Sequence, residues 1–314
     1  MPCYNYARYL PDCLDSIFGQ EGNFDFEVIA IDDCSTDNTV EILKRYEDPR
    51  LRVILHAVNQ GHVRTISEGF QIARGDLVAR IDPDDRYRRN FLQLTVPKFD
   101  AFPDVAMVYG NCSLINANGE GDGSPCDVVH GGEDFHGNEF CAVLKHNFIC
   151  APTVIARKQA WIETLPVPPD LAFSDWYFSL MIGRRHAFYY VDEILADYRV
   201  HSSNHHAKII LNRTEERSIL YLLDQIYGEP EVSHELERAK RAVRREVYAS
   251  HYVDFANKYF GANFNTDARR CYLKAIKYNP KNALSLVILR RLLVTFVERA
   301  SYERLKIATR LLGR

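Results

Sequence analysis

The sequence predicts an α/β protein: a three-layer α/β/α domain over residues 1–205, opening on a parallel sheet up to about residue 110, then an all-helical region over 206–314. Three observations carry that expectation. Up to about residue 110, short apolar runs alternate with amphipathic stretches of roughly 10–15 residues, the pattern of right-handed βαβ units. Two of those runs end abruptly in acidic turns, Asp32-Asp33 and Asp82-Pro83-Asp84-Asp85. From about Ala207 onward only helical periodicity remains.

The elements follow in order. Tyr9 to Phe18 reads as a helix, with Pro11 in its first turn and an apolar stripe of Leu10, Cys13, Leu14, Ile17 and Phe18. Glu27 to Ile31 is a buried strand. Asn38 is the expected cap of the next helix, with Glu41 completing a capping box. Leu51–Leu55 is a strand, and Asn59-Gln60-Gly61 turns into a helix carrying Val63, Ile66, Phe70 and Ala73, closed by Gly75. Leu77 to Ile81 is the strand that delivers the second acidic turn, because Pro83 has no backbone donor with which to continue a central strand.

Beyond Val105 the pattern changes. Val105–Gly110 is a strand, and 116–134, rich in Gly, Asp and Asn, is a long loop of the kind that often serves as a lid. A helix over 138–145, a strand over 151–156, a helix over 175–185 and one or two strands over 187–200 complete the domain. Asp267 to Pro280 looks like the second helix of a tetratricopeptide-type pair. The tail from Ala283 is basic and amphipathic (Arg290, Arg291, Arg299, Arg304, Lys306, Arg310, Arg314), either a solvated helix or one lying on anionic lipid.

Composition bounds the function. A 46% hydrophobic, 26% charged chain of 314 residues is ordinary for a soluble protein, and a net charge of -3 argues against bulk nucleic-acid binding. No uncharged apolar run reaches the roughly 18 residues of a membrane span, and the first residues have no signal-peptide pattern. The eight cysteines include no C-x-x-C, which fits reduced thiols in a cytoplasmic protein. Two glycosylation sequons, at Asn111 and Asn212, are expected to stay unmodified there.

Asp82, Asp84 and Asp85 stand within four residues and repel one another unless a cation sits between them. Mg²⁺ characteristically takes one or two carboxylates plus substrate phosphates. Both acidic turns lie at the carboxyl ends of strands, where open α/β sheets bind ligands. The simpler reading of each is a solvated or capping turn.

Six segments, in order, resemble the family-2-type inverting glycosyltransferases of the GT-A fold: Pro2-Cys3-Tyr4-Asn5, Asp32-Asp33-Cys34-Ser35-Thr36-Asp37-Asn38-Thr39, Asn59-Gln60-Gly61, Asp82-Pro83-Asp84-Asp85 after Ala73-Arg74-Gly75, Asp175-Trp176 and Tyr198-Arg199-Val200-His201. The resemblance spans roughly residues 1–205 and implies a nucleotide-diphospho-sugar donor, a glycan or lipid-linked acceptor, and Mg²⁺ or Mn²⁺. It places Pro2, Tyr4, Asn5, Asp33, Asp84 and Arg64 at the nucleotide-sugar, with Asp33 on the nucleobase or the sugar edge and Asp84 on the ribose. Asp85 and His201 fall to the metal, and Asp82 supports them. Asp175 becomes the general base, although an acid there also suits a helix start. Arg199 and His205 are lesser candidates for phosphate contact, and Arg80 and Arg86 either help there or only balance charge. Ser174 stands where many relatives have Glu, which changes the acceptor side.

The family carries an apolar strand before its Pro-x-Tyr-Asn motif. Met1 directly precedes Pro2 here, so most of a first strand is missing, and the expectation is that the functional protein begins upstream. Two other readings stay open. One is a nucleotidyltransferase, which would want a Gly-rich basic loop where Tyr4-Asn5-Tyr6-Ala7-Arg8 stands. The other is a decayed transferase domain acting as a helical adaptor.

Overall fold

The computed structural model describes residues 1–168, 171, 173–201 and 213–296. The chain divides into two compact units, Met1–Val143 with Asn147–Asn204, and Leu144–His146 with His205–Arg314.

The first unit opens on β1 (Pro2–Cys3), α1 (Leu10–Phe18), β2 (Val28–Asp32), α2 (Thr39–Arg45), β3 (Leu51–Leu55) and α3 (His62–Ile72). β1, β2 and β3 pair in parallel in that order, as the alternating pattern predicts. Burying Leu10, Cys13, Leu14 and Ile17 seats α1 on the core, so the apolar stripe read from the sequence is its inward face.

Next come β4 (Leu77–Ala79), β5 (Arg86–Tyr87), α4 (Phe91–Ala101), β6 (Val105–Ile115), β7 (Phe135–Gly137), α5 (Phe140–Lys145), β8 (Ile155–Arg157), α6 (Lys158–Ile162), α7 (Ser174–Gly183) and β9 (Ala187–Arg199). They form a second sheet in the order β4-β8-β6-β9-β5, with β7 on β9. Here the expectation of a parallel sheet is corrected. β4 runs antiparallel to β8, and only β6 and β9 pair in parallel.

Three local readings also change. Asn38 makes no side-chain cap; Asp37 Oδ1 accepts from the Thr39 amide at 3.0 Å instead, so the neighbouring acid took the role. Gly75 does not close α3, which stops at Ile72 with Ala73 in an open conformation. Ala151–Thr153 is a 3-10 turn rather than the start of a strand, because Pro152 can begin a turn but cannot donate to a ladder.

Among the described residues the two sheets share no backbone ladder. Between β2 and β4 lies a cavity of about 590 Å³ lined by Ile29, Ile31, Ile66, Phe70, Ala79 and Phe91. The Met1 amine donates to Ile29 O at 2.9 Å beside it, and burial lowers that amine's proton affinity.

The second unit contains α8 (Thr214–Gly228), α9 (His234–Gly261), α10 (Asn265–Tyr278) and α11 (Leu286–Val294). α9 and α10 form an antiparallel-type pair across a three-residue turn, and α10 buries Ala268, Cys271, Tyr272 and Ala275 at helical spacing. Glu216 of α8 takes both Arg270 Nη1 and Nη2, at 2.7 and 2.6 Å, fixing α10 to α8. His205 and the basic tail beyond Phe296 lie outside the described residues. Among the described residues no helix is long and apolar enough to cross a membrane.

Leu14 is fully buried in the core of the first unit. Leu14→Ala should cost about 3 kcal/mol of unfolding free energy in urea. A loss within error of zero would show that α1 does not hold that core.

Candidate active site

The register of one short strand pair builds the site. β5 runs antiparallel to β9 with Arg86 opposite Asp197 and Tyr87 opposite Ala196. Carrying that register two residues further lays Asp84-Asp85 alongside Tyr198-Arg199, so residues far apart in sequence meet at one sheet corner. Arg86 and Arg88 both reach Asp197, at 2.5 and 2.6 Å, and lock the pairing.

Within the acidic turn the three carboxylates have different company. Asp82 pairs with Arg80 Nη2 at 2.8 Å, and Arg80 also meets His62 Nε2 at 3.2 Å. Burial disfavours the Asp82 anion, but Arg80 and His62 outweigh it, and its pKa falls below the ordinary carboxylate value. Asp84 Oδ2 lies 3.0 Å from His201 Nε2. Asp85 Oδ1 accepts from the Arg199 amide at 2.8 Å. Burial and the adjacent carboxylates push both groups up, Asp85 far above the ordinary range. Asp82 is thus satisfied, while Asp84 and Asp85 are buried, crowded and short of positive charge.

Arg199 holds the corner together. Its Nε donates to Asp84 O at 2.6 Å, its Nη2 pairs with Asp12 at 2.5 Å, and its Nη1 donates to Asn116 O at 3.2 Å. Gly119, at φ +83, closes the first turn of the long loop against the same cations. A Cβ there would stand 3.3 Å from Arg86 Nη1 and 3.4 Å from Arg199 Nη1. Tyr9 stacks on the His201 ring at 4.9 Å.

The first acidic turn is a second, separately braced feature. Asp33 accepts from the amides of Gln60 and Gly61, at 2.7 and 2.8 Å, and from His56 Nδ1 at 2.7 Å. A carboxylate has about four acceptor sites, so one is left for a ligand. Asn5, at φ +61, turns its Oδ1 to the amides of Thr36 and Asp37 and so staples the loop after β1 to the loop after β2. Asp32 accepts from the Ser35 amide at 3.0 Å. Pro2 is buried in β1 and Tyr4 is 45% exposed. Arg64 is exposed on the first turn of α3, away from any partner among the described residues.

Asp175 is the second residue of α7 and half-buried, with Asn147 Nδ2 at 3.5 Å. It shares an electrostatic neighbourhood with the acidic turn. Arg80 is stabilised as a cation by Asp82, Asp175 and Asp85, and the Tyr198 hydroxyl, which burial chiefly makes hard to ionise, feels Asp85, Asp84 and Asp175. Trp176 Nε1 donates to Val143 O at 2.8 Å and anchors the helix start.

The chain matches the family described as "Glycosyl transferase family 2" over residues 1–162, more than half its length. The protein belongs to that family. As a family 2 glycosyltransferase it is 31% identical over 206 residues to the putative teichuronic acid biosynthesis glycosyltransferase TuaG of Bacillus subtilis, covering 63% of this chain and 77% of the relative. It is 27% identical over 228 residues to an uncharacterized glycosyltransferase, alr2836, of Nostoc, covering 68% of each. Its fold is that of S. aureus TarS 1–349, solved in complex with UDP-GlcNAc, at TM-score 0.64 and 18% identity over 90% of this chain and 87% of that one. The mannosyltransferase PcManGT from Pyrobaculum calidifontis, solved with GDP-Man and Mn²⁺, matches at TM-score 0.61 and 16% identity over 95% of this chain and 84% of that one. The GT-A fold expected from the motifs is therefore the fold of this family 2 glycosyltransferase, and the nucleotidyltransferase alternative falls away.

Two contributors had no motif. Asp12 is the partner of Arg199, and Tyr6 has a hydroxyl that burial and then Asp84, Asp82 and Asp85 keep strongly protonated. The sequence signal for Asp12 was its place on α1 opposite the apolar stripe. For Tyr6 it was the neighbouring Tyr4-Asn5.

The residues fit a hard divalent cation. Two buried carboxylates with raised proton affinity need positive charge, and His201 Nδ1 is buried without a partner among the described residues. No group of three or more metal-ligating side chains converges among the described residues.

His56 bridges Asp33 and Glu68, at 2.7 and 3.0 Å. Burial works to lower its pKa, but the two carboxylates outweigh it and the net shift is upward from 6.5. Asp33 is shifted downward from 3.8: burial opposes, and the Gln60, His56 and Gly61 bonds prevail. The His56 contribution is full below 6.5 and fades as pH rises through its raised folded value; the Asp33 contribution is full above 3.8 and fades as pH falls through its lowered one. The stability difference between the native chain and His56→Ala should therefore peak between those two values, at about 1–3 kcal/mol, and shrink on either side. A difference independent of pH would rule out the charged bridge.

Proposed function

We propose that this family 2 glycosyltransferase is a metal-dependent, inverting enzyme. It moves a sugar from a nucleotide-diphospho-sugar to a hydroxyl of a cell-surface glycan or a lipid-linked acceptor, in the cytoplasm and in peripheral contact with the inner face of the membrane. The observation that carries this reading is the sheet corner where Asp84-Asp85 lies beside Arg199-Val200-His201, with Asp175 in the same field. The nucleotide sugars bound by TarS and PcManGT, and the polysaccharide role in the name of TuaG, support the donor class and the acceptor class.

In this reading Pro2, Tyr4 and Asn5 shape the nucleotide pocket, Asp33 offers its remaining acceptor site to a nucleobase N–H, and Asp84 faces the ribose. Arg64, exposed at the start of α3, is the cation nearest in sequence to the Asn59-Gln60-Gly61 turn and is assigned to the donor phosphates. Mg²⁺ or Mn²⁺ held by Asp85, with His201, would neutralise charge on the diphosphate. Asp82, engaged by Arg80, keeps the turn in place.

Asp175 accepts the proton of the acceptor hydroxyl as its oxygen attacks the anomeric carbon. The bond from that carbon to the diphosphate oxygen breaks, and the nucleoside diphosphate departs with the electron pair. Attack from the face opposite the leaving group inverts the anomeric centre. Trp176, pinned to Val143 O, keeps the base from swinging away from that line.

Asp175→Asn should retain donor binding and lose transfer by about 10²–10⁴-fold. Transfer at the native rate would remove Asp175 from this role. A panel of nucleotide-sugars, assayed with EDTA or Mn²⁺, identifies the donor. Asp85→Asn should abolish the response to Mn²⁺ while leaving the fold intact by circular dichroism. Absence of both donor binding and turnover with every nucleotide-sugar would leave the adaptor reading in front.

A further inference from the structure

Charge is distributed unevenly along this chain. Residues 268–314 contain twelve Lys and Arg against two Glu, whereas the whole chain has a net charge of -3. From Ala268 to Phe296 there are seven Lys and Arg and no acid at all. In the second unit this same stretch carries large exposed apolar side chains: Leu284 is 81% exposed, Leu286 82%, Val287 58% and Leu293 67%. At about 100° per residue, Leu286, Arg290 and Leu293 fall in one narrow sector of α11. Lys277 and Lys281, just ahead of the helix, are exposed as well.

Ile288 and Val294 are the buried residues of α11, so the helix already has an inward side, and the exposed leucines are a separate surface. Phe296 extends it, held by the Arg269 guanidinium 3.7 Å from its ring centroid. Exposed apolar groups interleaved with cations, on a stretch of chain free of acids, mark an interfacial surface. A second copy of the chain is a poor occupant, because it would bring two strongly basic surfaces together. An anionic bilayer surface matches both the apolar and the basic part.

We propose that Leu284, Leu286, Val287 and Leu293, with Lys277, Lys281 and Arg290, form a docking face for anionic lipid. The inference rests on the membrane-contact part of the reading above and gives it residues. Docking would concentrate the enzyme where a lipid-linked acceptor is found.

The test is co-sedimentation of the full chain with vesicles of phosphatidylcholine alone or mixed with phosphatidylglycerol. The expected result is binding to the anionic vesicles that weakens with added salt, and about tenfold or greater loss of it in Leu286→Glu/Leu293→Glu. Lys277→Glu/Lys281→Glu, which removes no apolar side chain, should weaken binding in the same direction and decides the matter if the leucine variant does not fold. No binding to anionic vesicles, or native-like binding by both variants, overturns the proposal. So does a dimer in light scattering that Leu286→Glu/Leu293→Glu disperses, if it comes without vesicle binding. Donor binding in vesicle-free buffer is measured in parallel. Its presence with lipid binding lost removes only the docking face, and its absence with lipid binding retained removes only the transferase assignment.

Discussion

Three carboxylates at the end of one strand set the terms for the first unit. Two unit charges about 4 Å apart interact by roughly 4 kcal/mol at the effective dielectric of a protein surface, and more as the site becomes drier. Asp82, Asp84 and Asp85 cannot all be buried anions without help. The fold resolves one of them internally with Arg80 and keeps the other two in place through the Arg199 amide and His201. The guanidinium of Arg199 reaches backbone oxygens and Asp12. Positive charge is thereby placed around the turn, which in the proposed reading preorganises its centre for a cation and a diphosphate.

That arrangement explains why β5 matters despite being two residues long. A longer strand would carry the acidic turn into the ladder. A shorter one would not fix its register against β9. The Arg86–Asp197 and Arg88–Asp197 pairs supply the specificity that two ladder residues cannot, and Gly119 lets the long loop close over the same cations. This loop was legible in the sequence as a long polar segment. Its attachment was not, because attachment depends on Arg86 of β5, Arg199 of β9 and Arg8 in the turn before α1, which donate to Gly119 O, Asn116 O and Asn118 Oδ1.

What the sequence made legible was whatever is local. The βαβ opening, the acidic strand ends and the apolar stripe of α1 all follow from spacing of a few residues, and the structure has them. The antiparallel pairing of β4 with β8 was hidden, because direction is set by which strands become neighbours, and no single stretch encodes that. The capping of α2 failed for a subtler reason. Asp37 and Asn38 are both good caps, and Asp37 won because the Ala7 amide also donates to its carboxylate. Within the site, motif residues such as Asn5 and Asp33 were found by resemblance. Their partners Asp12, His56 and Tyr6 emerged only when the elements were brought together.

In the proposed reading, the bracing of Asp33 bears on how donor specificity is built. With three of its acceptor sites filled by Gln60, Gly61 and His56, the Asp33 carboxylate has one orientation and little freedom to leave it. A base pocket lined by such a group discriminates by geometry, since a nucleobase that presents no N–H at the remaining site leaves a buried acceptor unpaired. The acceptor end of that reading is different. Among the described residues Asp175 has one long side-chain contact, to Asn147, and it acts on the charge of Arg80. In the proposed reading, a braced nucleotide end and a less constrained base end divide the labour: the first fixes where the anomeric carbon arrives, and the second leaves room for an acceptor hydroxyl to settle before its proton moves.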